Sequence, residues 1–341
     1  MSKSANAENA APPILITMGE PSGIGPEIAL AAFDQLGGKI GKYPLKLVGD
    51  ASVFPGRGAA LIATKAKVKA VPGNPDAANA AAVIEAIEIA VKACLAGEAS
   101  AVVTAPIHKA VLIQAGFPHP GHTEFLGHLT GAPRAVMMLA SEKLRVVPLT
   151  IHTPLVKVPA AITAEAVRET AEIILEALTR DFGIAAPRLA IAGLNPHAGE
   201  EGVLGREEIQ VIAPAVAALK ARGHRVLGPL SADTLFHDEA RKTYDAVLTM
   251  YHDQGLIPIK TLSFWDGVNV TLGLPIVRTS PDHGTAVDIA GTGKADIRSM
   301  IAAIRMAAAM ADARALAGVR SDSVRTDPGF PPASATGKSV G

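Results

Sequence analysis

The sequence predicts an α/β fold built around a largely parallel sheet. Short apolar runs alternate along the chain with longer segments whose apolar residues repeat at helical spacing. This alternation is typical of α/β proteins, because parallel strands are joined by helices that cover the sheet. The length of 341 residues exceeds what one hydrophobic core usually serves, so we expect two domains.

Two segments are the clearest helices, and eight short apolar segments are the strand candidates. Residues 77–95 and 163–178 each place their apolar side chains on one face, and Thr163 is the expected N-cap of the second helix. The strand candidates are, in chain order, residues 14–18, 45–48, 101–104, 135–139, 144–150, 189–194, 246–250 and 276–278.

Bulk composition argues against several classes of function. Positive and negative side chains balance at 32 each, so no basic field attracts nucleic acid or a membrane surface. The single cysteine, Cys94, excludes an internal disulfide and a cysteine-rich zinc site. No signal-peptide pattern and no membrane-length apolar run is found, so we expect a cytoplasmic protein. Residues 1–11 and 321–341 are expected to be flexible tails.

Polar motifs follow the predicted strands directly. In open α/β sheets ligands bind beyond the carboxyl ends of the strands, so motifs distant in sequence are expected to converge on one cleft. The motifs occupy residues 19–27, 104–109, 152–154, 195–199 and 251–255.

Three of the ten histidines, His152, His197 and His252, each come shortly after an apolar strand, in turns with Pro, Gly or Asn nearby. Neutral imidazole is the commonest metal ligand, and three such ligands with an open position are typical of a catalytic site. Their spacings of 45 and 55 residues match no local metal motif. The residues alone therefore leave two interpretations open, one shared ion or three unrelated turn histidines.

Taken in order, the motifs resemble those of the 4-hydroxythreonine-4-phosphate dehydrogenase family of pyridoxal phosphate biosynthesis. The resemblance extends from about Ile14 to Leu316. Its departures are minor: Glu20 stands where the family usually has Asp, and residues 201–205 contain less glycine than the family pattern. The resemblance is carried by residues 16–27, 121–126, 193–200, 250–255, 267–275 and 278–285.

This resemblance implies a two-domain α/β fold similar to isocitrate and isopropylmalate dehydrogenases, with the active-site cleft between the domains. A Rossmann fold is not expected, because Gly23 and Gly25 lack the third glycine of that fingerprint and Pro26 suits a first helical position. The first domain, on the cofactor side, would comprise residues 12–128 with 273–318. The second, residues 129–272, would carry the metal and the dimer contacts.

The resemblance also implies the ligands. His152, His197 and His252 would bind one divalent ion (Zn2+, Mg2+, Mn2+ or Co2+) in a homodimer with shared active sites, His252 being supplied by the partner chain. The substrate contacts would be donors that suit a phosphorylated molecule, namely His122, Thr123, Lys260, Asn269 and Arg278. Contacts to NAD or NADP would come from Asp282, His283, Gly284, Thr285, Asp288 and Gly291.

The implied reaction is the NAD(P)-linked oxidation of 4-phosphohydroxy-L-threonine at its 3-hydroxyl. The resulting 3-keto acid loses CO2 readily and gives 3-amino-2-oxopropyl phosphate. Lys260 and Asp233 are the candidate general bases, although Asp233 equally suits a helix cap. The alternatives are a dehydrogenase of a related substrate, such as erythronate or threonate 4-phosphate or a dihydrodiol, and a non-redox, metal-dependent phosphate-handling enzyme.

Overall fold

The structure, a computed structural model, describes residues 11–119 and 121–325. Strands β1–β12 are Ile14–Thr17, Lys39–Ile40, Tyr43–Gly49, Leu61–Ala63, Ala101–Thr104, Val136–Ala140, Arg145–Thr150, Arg188–Ala192, Arg225–Leu230, Ala246–Tyr251, Val268–Leu272 and Arg278–Pro281. Helices α1–α10 are Gly25–Gln35, Ala80–Leu95, Lys109–Gln114, His122–Thr130, Val158–Ala161, Ala164–Arg180, Ala213–Ala221, Asp238–Arg241, His252–Leu262 and Arg298–Arg325.

One continuous sheet organises these elements. Its strand order is β2-β3-β1-β5-β12-β11-β6-β7-β10-β8-β9, and β4 pairs with β3 outside this path. Most neighbouring strands are parallel, but β11 runs antiparallel to both β12 and β6, β6 runs antiparallel to β7, and the short β2 runs antiparallel to β3. The predicted α/β class with a largely parallel sheet is therefore confirmed.

The strand order follows the expected division of the chain. Residues 12–128 and 273–318 supply β1–β5 and β12 at one end of the sheet, whereas residues 129–272 supply β6–β11 at the other. The two groups of strands meet at the β12–β11 pair. The topology favours the predicted domain boundaries, which stay a prediction.

The two predicted helices cover the sheet as their apolar faces require. In α2, Val83, Ile87 and Val91 are buried in the core, and burial of each such side chain contributes about 1.5–3 kcal/mol. The Thr163 hydroxyl accepts a hydrogen bond from the Ala166 N–H at 3.1 Å, which confirms Thr163 as the N-cap of α6.

Some elements differ from the predictions. Strands β2, β4, β9 and β11 have no counterpart among the predicted segments, because β2 and β4 are very short and polar or turn-forming residues interrupt β9 and β11. The last predicted strand, residues 276–278, begins only at Arg278.

The expected tails lie mostly outside the described residues. Helix α10 continues to Arg325, so residues 321–325 are helical, and residues 1–10 and 326–341 are not described. No helix in the described part of the chain combines the length and apolarity needed to span a membrane.

Candidate active site

A cavity of ≈ 580 Å³ is lined by residues of the central strands β5, β6, β11 and β12 and by the segments around them. It therefore receives side chains from both expected domains. It brings together residues that the sequence places up to 180 positions apart, from Thr104 to Gly284. The predicted site residues that line it are His122, Thr123, His152, His252, Asn269, Arg278, Asp282, His283 and Gly284. Three of the five strand-end motifs therefore converge here, those at residues 104–109, 152–154 and 251–255, whereas those at residues 19–27 and 195–199 do not line the cavity.

Arg278, the first residue of β12, forms the inner wall of the cavity and is 2% exposed. Its Nη1 donates to Thr271 Oγ1 at 2.9 Å and to Asn269 Oδ1 at 3.5 Å, and its Nη2 donates to Thr104 Oγ1 at 2.6 Å. None of these acceptors is negatively charged. Burial lowers the pKa of Arg278 to about 9, so the guanidinium remains a cation at neutral pH.

His122 begins α4 beside this guanidinium, and its Nδ1 lies 3.4 Å from Arg278 Nη2. Burial, together with the charges of Arg278 and Lys109, lowers the pKa of His122 well below its ordinary value, so the ring is neutral at pH 7. Within the described chain, His122 Nε2 and Arg278 Nε are buried without a hydrogen-bond partner. Buried polar atoms rarely stay unpaired, and a buried cation favours an anionic partner. This end of the cavity is therefore suited to an anionic ligand, and we call it the anion end.

His152 and His252 line another part of the cavity wall, after the neighbouring strands β7 and β10, with ring centroids 6.2 Å apart. Desolvation lowers the pKa of His152, and the charges of Lys109 and His252 lower it further, which favours the neutral, metal-binding form. His252 Nδ1 lies 2.7 Å from Asp253 Oδ1, a carboxylate–imidazole contact of the kind that orients metal ligands. We call this part of the cavity the histidine end; His197, the third candidate ligand, lies outside it.

His197 is exposed on the turn that follows β8. Strand β10 separates β8 from β7, the strand that leads to His152. Residues 197–201 all have positive φ, at 51°, 52°, 85°, 43° and 52°, and only Gly199 adopts such angles freely. Left-handed backbone costs roughly 1–2 kcal/mol for each non-glycine residue. Strain of this kind persists where surrounding contacts impose it, and it concentrates at functional sites.

One chain does not assemble the three histidines into a metal site. His197 does not line the cavity, and the described residues contain no group of three His, Cys, Asp or Glu side chains that could hold an ion. Within one chain, His252 lies beside His152. The family resemblance instead implies that the His252 of each site comes from the partner chain. A complete set of three ligands therefore requires a second chain or a rearrangement of the turns.

The two candidate bases occupy different surroundings. Lys260, on α9, donates to Asp282 Oδ2 at 2.7 Å, which links a predicted substrate contact to a predicted cofactor contact. Asp233 is exposed, does not line the cavity and lies inside a short helical turn rather than at its cap. A hydrogen bond from the Ser231 hydroxyl lowers the pKa of Asp233, which makes this carboxylate a weaker base.

The glycine-rich loop serves close backbone packing. A Cβ atom at Gly23 would lie 2.7 Å from the carbonyl oxygen of Thr285, and one at Gly25 would lie 2.5 Å from that of Met18. The Ile24 N–H donates to the same Thr285 oxygen at 2.9 Å. The loop therefore supports the segment that carries the predicted cofactor contacts. Thr285, Asp288 and Gly291 belong to that segment but do not line the cavity.

The sequence reasoning missed some residues of the cavity wall. Thr104 and Lys109 lie in the motif at residues 104–109, for which the sequence predicts no specific role. Ser280 lies in β12. The position of the 104–109 motif directly after a strand was the available signal for Thr104 and Lys109. Ser280 carries no comparable signal, because it is buried within a strand.

Comparisons with known proteins give concordant matches. The family described as pyridoxal phosphate biosynthetic protein PdxA matches residues 40–307. The 4-hydroxythreonine-4-phosphate dehydrogenase of Methylorubrum populi is 53% identical over 330 residues, which cover 88% of this chain and 94% of that protein. A crystal structure of the Klebsiella pneumoniae protein of the same name has a TM-score of 0.78 at 37% identity, covering 88% and 100% of the two chains.

A more distant solved structure is a terephthalate 1,2-cis-dihydrodiol dehydrogenase from Burkholderia xenovorans. It has a TM-score of 0.63 at 31% identity and covers 88% of this chain and 98% of its own. Relatives of this fold therefore carry different substrate names, so the fold alone does not decide the substrate.

Proposed function

The chain belongs to the PdxA family of pyridoxal phosphate biosynthetic proteins, and from this we propose that it oxidises 4-phosphohydroxy-L-threonine with NAD or NADP. The 3-hydroxyl becomes a ketone, hydride passes to the cofactor, and the 3-keto acid loses CO2 to give 3-amino-2-oxopropyl phosphate. Relatives named 4-hydroxythreonine-4-phosphate dehydrogenase are about half identical over most of the chain, which supports this substrate.

The observation that carries the proposal is the anion end of the cavity. A phosphate group would supply the negative charge that Arg278 lacks among its described partners, and acceptors for the unpaired nitrogens of Arg278 and His122. Thr123 and Asn269 line the same cavity and add a hydroxyl and an amide. This charge and donor pattern favours a phosphorylated substrate over an uncharged one.

The donor chemistry of the histidine end fits a divalent ion, such as Zn2+, Mg2+, Mn2+ or Co2+. His152, His197 and His252 would hold it, since all three are imidazoles that closely follow strands and His252 Nδ1 contacts the Asp253 carboxylate. The bound ion would act as a Lewis acid that lowers the pKa of the substrate hydroxyl.

We propose that the ligand set is completed in a homodimer with shared active sites. Large apolar side chains are exposed directly after His152 and after the His197 turn, and exposed apolar clusters of this kind mark protein interfaces. Their exposed fractions are 68% for Leu155, 87% for Val156, 80% for Val203 and 46% for Leu204. A partner chain would cover these side chains and add the missing ligand.

The remaining roles follow from position. The cofactor, which accepts the hydride when bound, would lie against Asp282, His283, Gly284, Thr285, Asp288 and Gly291. Lys260 does not line the cavity itself, but its Nζ contacts Asp282, which does, so Lys260 is favoured over the exposed Asp233 as the general base.

The direct test is an assay of NADH and NADPH formation by the purified full-length protein. We expect the highest kcat/KM with 4-phosphohydroxy-L-threonine, and loss of activity after chelation with recovery on adding a divalent ion. Preference for erythronate or threonate 4-phosphate would overturn the substrate, and undiminished turnover in fully demetallated protein would overturn the ion.

A further inference from the structure

A buried carboxylate lies behind the turn that carries His197. Glu208 begins a short π-helical turn, Glu208–Ile212, and is 2% exposed. Its Oε1 accepts hydrogen bonds from the backbone N–H groups of Leu194 at 2.7 Å and Asn195 at 2.8 Å. Its Oε2 accepts from Asn195 Nδ2 at 2.9 Å. All three bonds therefore hold the stretch that leads from β8 into the left-handed turn.

Two glycines allow the carboxylate to approach the turn this closely. A Cβ atom at Gly199, in the middle of the left-handed run, would lie 2.7 Å from Glu208 Oε2. A Cβ atom at Gly193, just before the run, would lie 3.0 Å from Glu208 Oε1. The Glu208 carboxylate therefore forms hydrogen bonds at the entry of the turn and lies close to Gly199 at its centre.

Burial of a carboxylate costs free energy because the group loses its hydration, and several hydrogen-bond donors are needed to offset that loss. Here two of the three donors are backbone N–H groups just before a run in which four non-glycine residues have unfavourable φ. Strained backbone fixed by a buried charge, next to a π-helical turn, is a combination that occurs at functional sites. The turn presents one side chain with metal-binding chemistry, His197.

We propose that Glu208 is a positioning residue for His197. It fixes the entry of the left-handed turn through its hydrogen bonds with Leu194 and Asn195 and lies close to Gly199, so that the imidazole is presented in one orientation to the divalent ion. The inference rests on the proposed role of His197 as a metal ligand. It assigns to Glu208 an effect on ion affinity that passes entirely through His197.

Glu207 provides a matched control in the next position along the chain. Its Oε2 accepts from Asn195 Nδ2 at 2.8 Å, but it is more exposed than Glu208 and makes neither backbone contact before the turn. Glu207→Ala therefore removes a neighbouring carboxylate while leaving the three Glu208 bonds in place.

The test measures Zn2+ affinity by calorimetric titration of the full-length metal-free protein and its variants. We expect Glu208→Ala to weaken Zn2+ binding by about 10–100-fold, as loss of an outer orienting contact does. Glu208→Gln should lose less, because its amide oxygen still accepts from Leu194 and Asn195. Glu207→Ala should bind as the unaltered protein does. In a His197→Ala background, Glu208→Ala should have no further effect.

Hydrogen exchange of the metal-free protein gives a second readout. We expect amides in residues 194–203 to exchange faster in Glu208→Ala than in Glu207→Ala, while the core strands keep their protection. Unchanged exchange in this segment, or unchanged Zn2+ affinity in Glu208→Ala while His197→Ala loses binding, would overturn the inference. Unchanged affinity in His197→Ala would overturn the metal assignment beneath it.

Discussion

The anion end and the histidine end of one cavity are built to different degrees of completeness. Arg278 is buried and His122 is half-buried on elements of the fold, and Arg278 is bonded to Thr104 and Thr271 on neighbouring strands. His197 and His152 are exposed on turns, and the described part of one chain does not group them with His252 as a metal site.

The contrast indicates which contacts a single chain can organise. Central strands fix side chains through the sheet itself, so the anion end can be preformed before substrate arrives. The turns that follow the strands are fixed only by the residues that pack on them. Here several apolar residues of those turns are exposed in one chain, so part of that packing is missing without a partner. We therefore expect changes at the anion end to act within each chain and changes at the histidine end to act between chains.

The largest effect within the preformed end is expected from Arg278→Met. Loss of the buried cation should reduce kcat/KM by roughly 100-fold, or about 3 kcal/mol, because the substrate phosphate loses its charged donor. The same variant should not lose thermal stability, since a buried charge without a counter-charge opposes folding. Arg225→Met, at an exposed position on β9, is the control. Unchanged kcat/KM in Arg278→Met would refute the anion end.

A smaller effect is expected from Gly23→Ala. The added Cβ would lie 2.7 Å from the Thr285 carbonyl oxygen, so the glycine-rich loop and the segment behind the cavity must separate. We expect a loss of about 2 kcal/mol in the free energy of unfolding, measured by denaturant titration. Gly284→Ala is the matched control, because nothing lies within 4 Å of a Cβ atom there. Equal stability of the two variants would show that the packing is not tight.

The smallest effect concerns the pH dependence of stability. Because burial lowers the pKa of His122 in the folded state, only the unfolded chain binds a proton there below about pH 6.5. The free energy of unfolding should therefore fall as the pH is lowered from 7 towards 5. His122→Gln should show a shallower decline over that range, measured by denaturant titration at each pH. An identical slope in the variant would contradict a buried neutral imidazole.

Sequence reasoning predicted the parts of this molecule that local pattern controls. Apolar runs located the central strands, and Thr163 marked a helix start that the structure confirms. The rule that ligands bind at strand ends placed Lys109, His152 and His252 near one cavity, whereas His122 and Arg278 were expected only from the family motifs.

Other features depend on contacts that no local pattern encodes. Strand β11 runs antiparallel and joins the two halves of the sheet, a register decided by its neighbours β12 and β6. The left-handed turn at His197 depends on Glu208, whose role is visible only once its carboxylate is seen against Leu194 and Asn195. The sequence suits Asp233 equally to the role of general base or helix cap, and the structure places it inside a short helical turn.

The central claim, a metal site completed between chains, is tested most directly by mixing two inactive variants. His197→Ala and His252→Ala each remove one of two candidate ligands that a single chain does not bring together, and each variant alone should be inactive. If the two ligands come from different chains, each mixed dimer has one intact site, so a random mixture should recover about one quarter of the unaltered activity. A parallel mixture of His152→Ala with His252→Ala should recover activity only if His152 and His252 also come from different chains. Absence of recovery in the first mixture, with mixed dimers demonstrated by native mass spectrometry, would contradict the shared site.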